Sequence, residues 1–202
     1  ADGDGDSGGP GDGDVADDGS AEDASDSGPE DDADASGCFY PAAPYAFALN
    51  DTVGPMRWPS AVAAEGEEGA ADLGELFCDP GVHSVFIQVV TLACPTCPER
   101  MAFIAEQQAH WESTGARWVF VVSDAASPSQ ANEYVDLRGV TFGFRTNDQD
   151  NSQGAYSIVN SALYGGVPWT GVIRASDMVL VYDEPDDRFL DIVSIATELA
   201  AD

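Results

Sequence analysis

Four cysteines, Cys38, Cys78, Cys94 and Cys97, are the residues whose type and spacing offer chemistry. The last two stand in Thr91-Leu92-Ala93-Cys94-Pro95-Thr96-Cys97-Pro98-Glu99-Arg100. Two thiols at this spacing can share a metal, staple a loop, or trade electrons with another disulfide. Structural zinc sites draw their ligands from two close pairs, and this chain has one CxxC. His83 and His110 stand at no ligand spacing, so no metal is expected. If a helix starts at the motif, its unpaired N–H groups and dipole favour the thiolate of Cys94. Cys94 is then the attacking thiol, and Cys97, one turn on and more buried, resolves the mixed disulfide. Pro95 suits a first helical turn because it has no N–H to lose. Between the cysteines, Pro95 and Thr96 bring no charge, and Arg100 is expected to point away from them. Cys38 and Cys78 lie outside the close pair and either bond to each other or remain free. Bonded, they would stabilise the fold by about 3–4 kcal/mol through loop closure.

The elements around the motif can be read from hydrophobic period. Residues 82–90, VHSVFIQVV, are β-branched and almost continuously apolar, as a strand covered on both faces should be. After the motif, Met101, Ile104, Ala105, Gln108 and Trp111 recur at helical spacing, predicting a helix from about 95 to 114 that stops at Gly115. A second buried strand covers 118–122. Ser127-Pro128 is an N-cap followed by a proline at the first helical position, predicting a helix through Leu137. A third strand is expected at 140–144, a short helix at 153–162, paired strands at 169–174 and 178–182, and a last helix at about 186–200. Ahead of the motif, 45–49 alternates like an early strand, 61–70 is small and acidic like a surface loop, and 72–77 is a short helical turn. Alternating strands and helices imply a parallel centre, and the closing hairpin adds antiparallel strands. The expected fold is α/β, a mixed sheet with helices on both faces.

Charge divides the chain. Residues 1–36 hold fourteen acids, no base and, apart from Val15, only Asp, Gly, Ser, Ala, Glu and Pro. Such a segment buries too little apolar surface to offset its ordering entropy, and it reads as a disordered acidic tether. The remaining 23 acids face seven arginines and no lysine, leaving 37–202 at a formal charge of −16. That surface repels phosphate backbones, so nucleic acid is not an expected partner. No stretch nears the roughly 20 apolar residues that cross a bilayer. The chain begins at Ala, with no apolar signal core, and the long leader suits a tether to a removed anchor. An exported protein, in the periplasm or on the cell surface and lipid-anchored, is the expectation.

A strand running into CxxC, with the second Cys inside the next helix, resembles the thioredoxin superfamily. Gly166-Val167-Pro168-Trp169-Thr170-Gly171-Val172-Ile173 is similar to the stretch around that family's cis-proline, and here too it precedes the closing hairpin. The resemblance covers about 40–200. It implies a three-layer α/β/α sandwich with an N-terminal extension, of the exported thiol–disulfide oxidoreductase and redoxin group. It also implies Cys94 and Cys97 as catalytic residues, with Val167, Pro168, Pro95 and Thr96 contacting substrate. Partners would be protein thiols and disulfides and a redox partner protein. The enzyme would be a monomer needing no cofactor beyond its own disulfide. The chain departs from the pattern twice. Ala93 stands where thioredoxins commonly have Trp, and Gln88 stands where they bury an Asp six residues before the first Cys. Gln cannot carry a proton at neutral pH, so proton transfer falls to water or another group. Two alternatives remain. Thr91 resembles the Thr three residues before a peroxiredoxin's reactive Cys, although Ile87 replaces that family's Pro. A redox-inactive binding module would use both pairs as structural disulfides. A copper-chaperone relative needs a distal His, and none follows His110.

Overall fold

The computed structural model describes residues 38–64, 70–149, 166–185 and 189–202. In chain order its elements are β1 (Arg57–Trp58), β2 (Val62–Ala63), β3 (Ala71–Asp72), α1 (Leu73–Cys78) and β4 (Ser84–Val90). Then follow α2 (Cys97–Glu106), α3 (Gln108–Ser113), β5 (Ala116–Val122), α4 (Pro128–Asp136) and β6 (Phe144–Thr146). The chain closes with β7 (Trp169–Arg174), β8 (Val179–Pro185) and a last helix, α5 (Phe189–Leu199).

The β-branched run becomes β4, and all seven of its residues are buried. It lies near the middle of a six-stranded sheet ordered β2-β6-β5-β4-β7-β8. β4 pairs with β5 in parallel from Ser84 opposite Ala116 to Val90 opposite Val122, and β5 pairs with β6 in parallel. On the other side β4 runs antiparallel to β7, and β7 to β8. Alternation sorts the side chains by face. Val85, Ile87 and Val89 join Val119, Val121 and Ile173 in one core, beneath Val53, Met56, Trp58, Leu73 and Leu76 of the N-terminal segment. Phe86 and Val90 join Trp118, Phe120, Val122 and Val172 in the other, beneath Met101 and Ile104 of α2, Val135 of α4 and Ile192 of α5. On this second face Trp118 stacks between Phe86 and Phe120, at centroid distances of 4.6 and 5.5 Å.

Local chemistry sets the ends of the elements. The Ser127 hydroxyl accepts from the Gln130 N–H and Pro128 opens α4, as the sequence predicts. Asp72 caps α1, taking the Gly74 and Glu75 amides. Gly115 turns the chain from α3 into β5 at φ +62°, where a Cβ would lie 2.4 Å from the Gly81 carbonyl oxygen. No other residue fits that corner.

Several boundaries differ from expectation. Residues 45–49 form no strand. They sit in a turn-rich segment held by bonds such as Asn50 N–H to Leu180 O (2.8 Å), with Leu49 exposed. The alternation there reflects partial contact with the first core by Phe47, not sheet pairing. The 61–70 loop contains β2, which pairs with β6, and its residues 65–69 lie outside the described set. The third strand begins at Phe144 rather than 140. Gly143, at φ +76°, packs against the Trp118 carbonyl, and the ladder starts only after it. The helix expected at 95–114 starts at Cys97 and breaks at Gln107 into α2 and α3. The 153–162 helix and the 1–36 tether fall outside the described residues.

Cys38 and Cys78 are joined, closing a separation of 40 residues. Replacing both by Ser should lower the unfolding free energy by about 3–4 kcal/mol in chemical denaturation, the loop-closure contribution. The β7–β8 turn gives a smaller, pH-dependent effect. Arg174 donates through Nε and Nη2 to the two carboxylate oxygens of Asp177 (2.9 and 2.7 Å). This fork, foremost, holds the Asp177 carboxyl below its ordinary range. A depressed folded pKa contributes stability that is full above the ordinary carboxylate range and fades as pH falls through the folded value. The pair is well exposed, so its worth is under about 1 kcal/mol. Asp177→Asn should therefore lower Tm slightly at neutral pH, with the difference from the parent vanishing in acid.

Candidate active site

At its carboxyl end β4 passes through a turn at Thr91–Ala93, and the Cys94 N–H closes this turn on the Thr91 carbonyl (3.3 Å). The turn is tied from outside. Asp124, just past the end of the neighbouring parallel strand, accepts the Leu92 N–H at 2.7 Å. Parallel pairing of β4 with β5 brings both strand ends to one edge, so this carboxylate can reach the turn.

Cys94 and Cys97 are bonded. Cys97 is the first residue of α2, so its N–H has no intrahelical partner, and it donates to Cys94 Sγ at 3.1 Å. The helix does not begin at Pro95. Pro95 and Thr96 precede it, both exposed, and Pro98 is the proline that opens the helix. Cys94 keeps slight exposure (7%) while Cys97 has none. The Thr96 hydroxyl lies 3.7 Å from Cys94 Sγ. The Val167 carbonyl lies 3.8 Å from the same sulfur. The Val167–Pro168 peptide is cis. Thus Cys94, Cys97, Thr96 and Val167 meet at one place, with exposed Leu92, Ala93 and Pro95 beside them. Pro168 is buried behind Val167. Trp169 belongs to the core: its ring folds over Gly171, packs on Phe47, and donates Nε1–H to Asp183 at 2.7 Å.

Three polar residues lie beneath the pair. Gln88 and Thr170 stand directly opposite each other on β4 and β7, on the face that α2 covers. Arg100 does not point away, as the sequence reading expects. It is 1% exposed, and its Nη2 donates to Thr170 Oγ1 at 2.8 Å. Thr170 Oγ1 donates to Gln88 Oε1 at 2.8 Å, and Gln88 Nε2 donates to the Trp169 carbonyl at 2.8 Å. Sequence reasoning missed Arg100 and Thr170, yet a signal was there. Cys97, Arg100, Met101 and Ile104 fall at i, i+3, i+4 and i+7, so Arg100 lies on the buried stripe of α2. A charge on such a stripe requires polar company.

No group of three or more His, Cys, Asp or Glu residues that could hold a metal ion occurs among the described residues. His83 is exposed just ahead of β4, at the opposite end of that strand from the pair, and His110 faces the Val193 carbonyl (3.2 Å). No helix among the described residues is long and apolar enough to cross a membrane.

A parallel β4–β5–β6 core, an antiparallel β7–β8 hairpin, and a CxxC disulfide where the central strand meets a helix define the thioredoxin-like fold class. Solved structures agree. A thiol:disulfide interchange protein from a Bacteroides species superposes with a TM-score of 0.54 at 10% identity, over 77% of this chain and 91% of that one. The thioredoxin domain of a thiol-disulfide oxidoreductase from Bacteroides vulgatus gives 0.52 at 11%, over 76% and 99%. The mitochondrial 2-Cys peroxiredoxin of Plasmodium falciparum gives 0.55 at 8%, over 75% and 94%. No protein-family model and no curated protein matches the chain. The likeness is one of fold, and the chemistry rests on the chain's own residues.

The Leu92 anchor is testable. Asp124→Ala should speed hydrogen exchange of the Leu92 amide while leaving that of Val89, inside β4, unchanged. It should cost no more than about 1 kcal/mol of stability, because the bond is exposed. Asp124→Asn, which keeps an acceptor, should restore most of the protection.

Proposed function

We propose that the protein is a thiol–disulfide oxidoreductase that exchanges disulfides with protein substrates outside the cytoplasm, with Cys94 as nucleophile and Cys97 as resolving thiol. The observation carrying this reading is the contrast between the two sulfurs. Cys94 has the outward access and receives the Cys97 amide, whereas Cys97 is sealed behind it. An N–H donated to sulfur favours thiolate over thiol. In the reducing direction the Cys94 thiolate attacks one sulfur of a substrate disulfide. A Cys94–substrate bond forms, and the other substrate sulfur leaves as thiolate and takes a proton from water. The Cys97 thiol then gives its proton to water and attacks Cys94 Sγ, breaking the Cys94–substrate bond. The Cys94–Cys97 bond forms, and the second substrate sulfur is released reduced. Two electrons pass from the pair to the substrate, and the reverse sequence oxidises a dithiol.

Val167 supports a role in substrate binding. Its carbonyl lies beside Cys94 on a segment that is only partly buried, where an extended peptide can add as a strand. Leu92, Ala93 and Pro95 give the rim an apolar character that suits an unfolded or loop segment around a cysteine. We further propose a redox partner protein that resets the pair, a monomeric state, no cofactor beyond the disulfide, and no nucleic-acid partner for so acidic a surface. Export, with a lipid anchor beyond the acidic 1–36 leader, fits a chain carrying two disulfides.

Insulin reduction with dithiothreitol provides the test. The parent should accelerate precipitation, and Cys94→Ser should abolish the acceleration. Cys97→Ser should instead accumulate a mixed disulfide visible on a non-reducing gel. Equal rates for parent and Cys94→Ser would defeat the enzyme reading in favour of a binding module. Rapid consumption of hydrogen peroxide without insulin reduction would favour the peroxidase alternative raised by Thr91.

A further inference from the structure

The buried polar chain beneath the disulfide has a direction. Arg has donors only, so Thr170 Oγ1 must accept from Arg100 and spend its single proton on Gln88 Oε1. That acceptance fixes the Gln88 amide, leaving Nε2 to donate to the Trp169 carbonyl at 2.8 Å and the Val89 carbonyl at 3.3 Å. Gln88, Thr170 and Arg100 are each at most 1% exposed. The links therefore join three elements. Arg100 is on α2, three residues after Cys97. Gln88 is on β4, six residues before Cys94. Thr170 and Trp169 open β7, next to Pro168 and Val167. The last link ends two residues from the carbonyl that faces Cys94 Sγ.

We propose that Arg100, Thr170 and Gln88 are positioning residues for disulfide exchange, holding the Cys94–Cys97 helix in register with the Val167 carbonyl so that a peptide strand docks in line with Cys94. This rests on the exchange reading above and adds how the protein selects a peptide over a small disulfide. None of the three touches the reacting sulfurs. Gln88, which stands where an ionisable residue could have served as a proton carrier, acts here as a strut. Both ends of its amide are engaged, and a carboxyl in its place would have no N–H for the Trp169 carbonyl.

The experiment compares two oxidants of the reduced protein. One is insulin, which needs a docked strand. The other is 5,5′-dithiobis(2-nitrobenzoic acid), which needs only the thiolate. Thr170→Val keeps shape but removes both links, whereas Thr170→Ser keeps the hydroxyl. The readout is the ratio of the two second-order rate constants, taken where circular dichroism shows each variant fully folded, because an unfolded chain would still react with the aryl disulfide. In Thr170→Val the ratio should fall at least about tenfold, the scale of one of the two hydrogen bonds lost. Thr170→Ser should stay within about twofold of the parent. If Thr170→Val does not fold, Gln88→Met removes the adjoining links at similar volume and should show the same fall. An unchanged ratio in a folded variant overturns the proposal. So does a proportional loss of both rates, because a structural defect alone acts on both. If the unaltered protein reduces the aryl disulfide but not insulin, the exchange reading fails and takes this proposal with it.

Discussion

Complete burial of β4 is the constraint on which the structure depends. A strand with seven consecutive buried residues must be covered on both faces and paired on both edges. The chain meets the first need with α2–α5 on one side and residues 53–64 and 70–76 on the other, and the second with β5 and β7. The same strand sets the chemistry. Where its pairing ends, the chain turns outward at Thr91–Ala93 and immediately starts a helix. The cysteine pair occupies that step, with Cys94 slightly exposed and Cys97 fully buried at the start of the helix.

The burial also explains why a polar residue inside β4 is informative. A buried amide costs roughly 1–3 kcal/mol if left unpaired. Gln88 is carried because Thr170, the Trp169 carbonyl and, through Thr170, Arg100 satisfy it. The arrangement binds the hairpin to the central strand and the central strand to the motif helix. It links the three pieces of backbone that any exchange reaction would need to keep aligned.

Much of this was legible in the residues. β4, β5, the Ser127-Pro128 start of α4, the Gly115 stop and the β7–β8 hairpin each carry a strong local signal: β-branching, a capping hydroxyl, a forced φ or a tight turn. Legibility failed where tertiary contact decided the outcome. Residues 45–49 alternate like a strand but find no ladder, and only Phe47 is drawn against the core. β6 starts late because Gly143 must clear Trp118. The helix start moved from Pro95 to Cys97 because either neighbouring proline suits a first turn, and sequence does not choose between them. Cys94 and Cys97 were evident from spacing, and the Val167-Pro168 neighbourhood from resemblance. Distance along the chain sets Arg100 apart from Cys94, whereas the helical period places it on the buried stripe of α2 with Cys97, Met101 and Ile104.

The Cys38–Cys78 bond has a mechanical consequence. The bond connects Cys38, the first of the described residues, to the last residue of α1, just ahead of the central strand. Tension applied at Cys38 would pass across the sulfurs to Cys78 and on toward β4. The described residues of 39–64 and 70–77, among them Val53, Met56, Trp58, Leu73 and Leu76 on one face of the sheet, would lie outside that load path and would not be peeled away. Reduction of this one bond would place the same segment in series with the pull, so the oxidation state of a surface staple would determine whether the sheet stays covered under load.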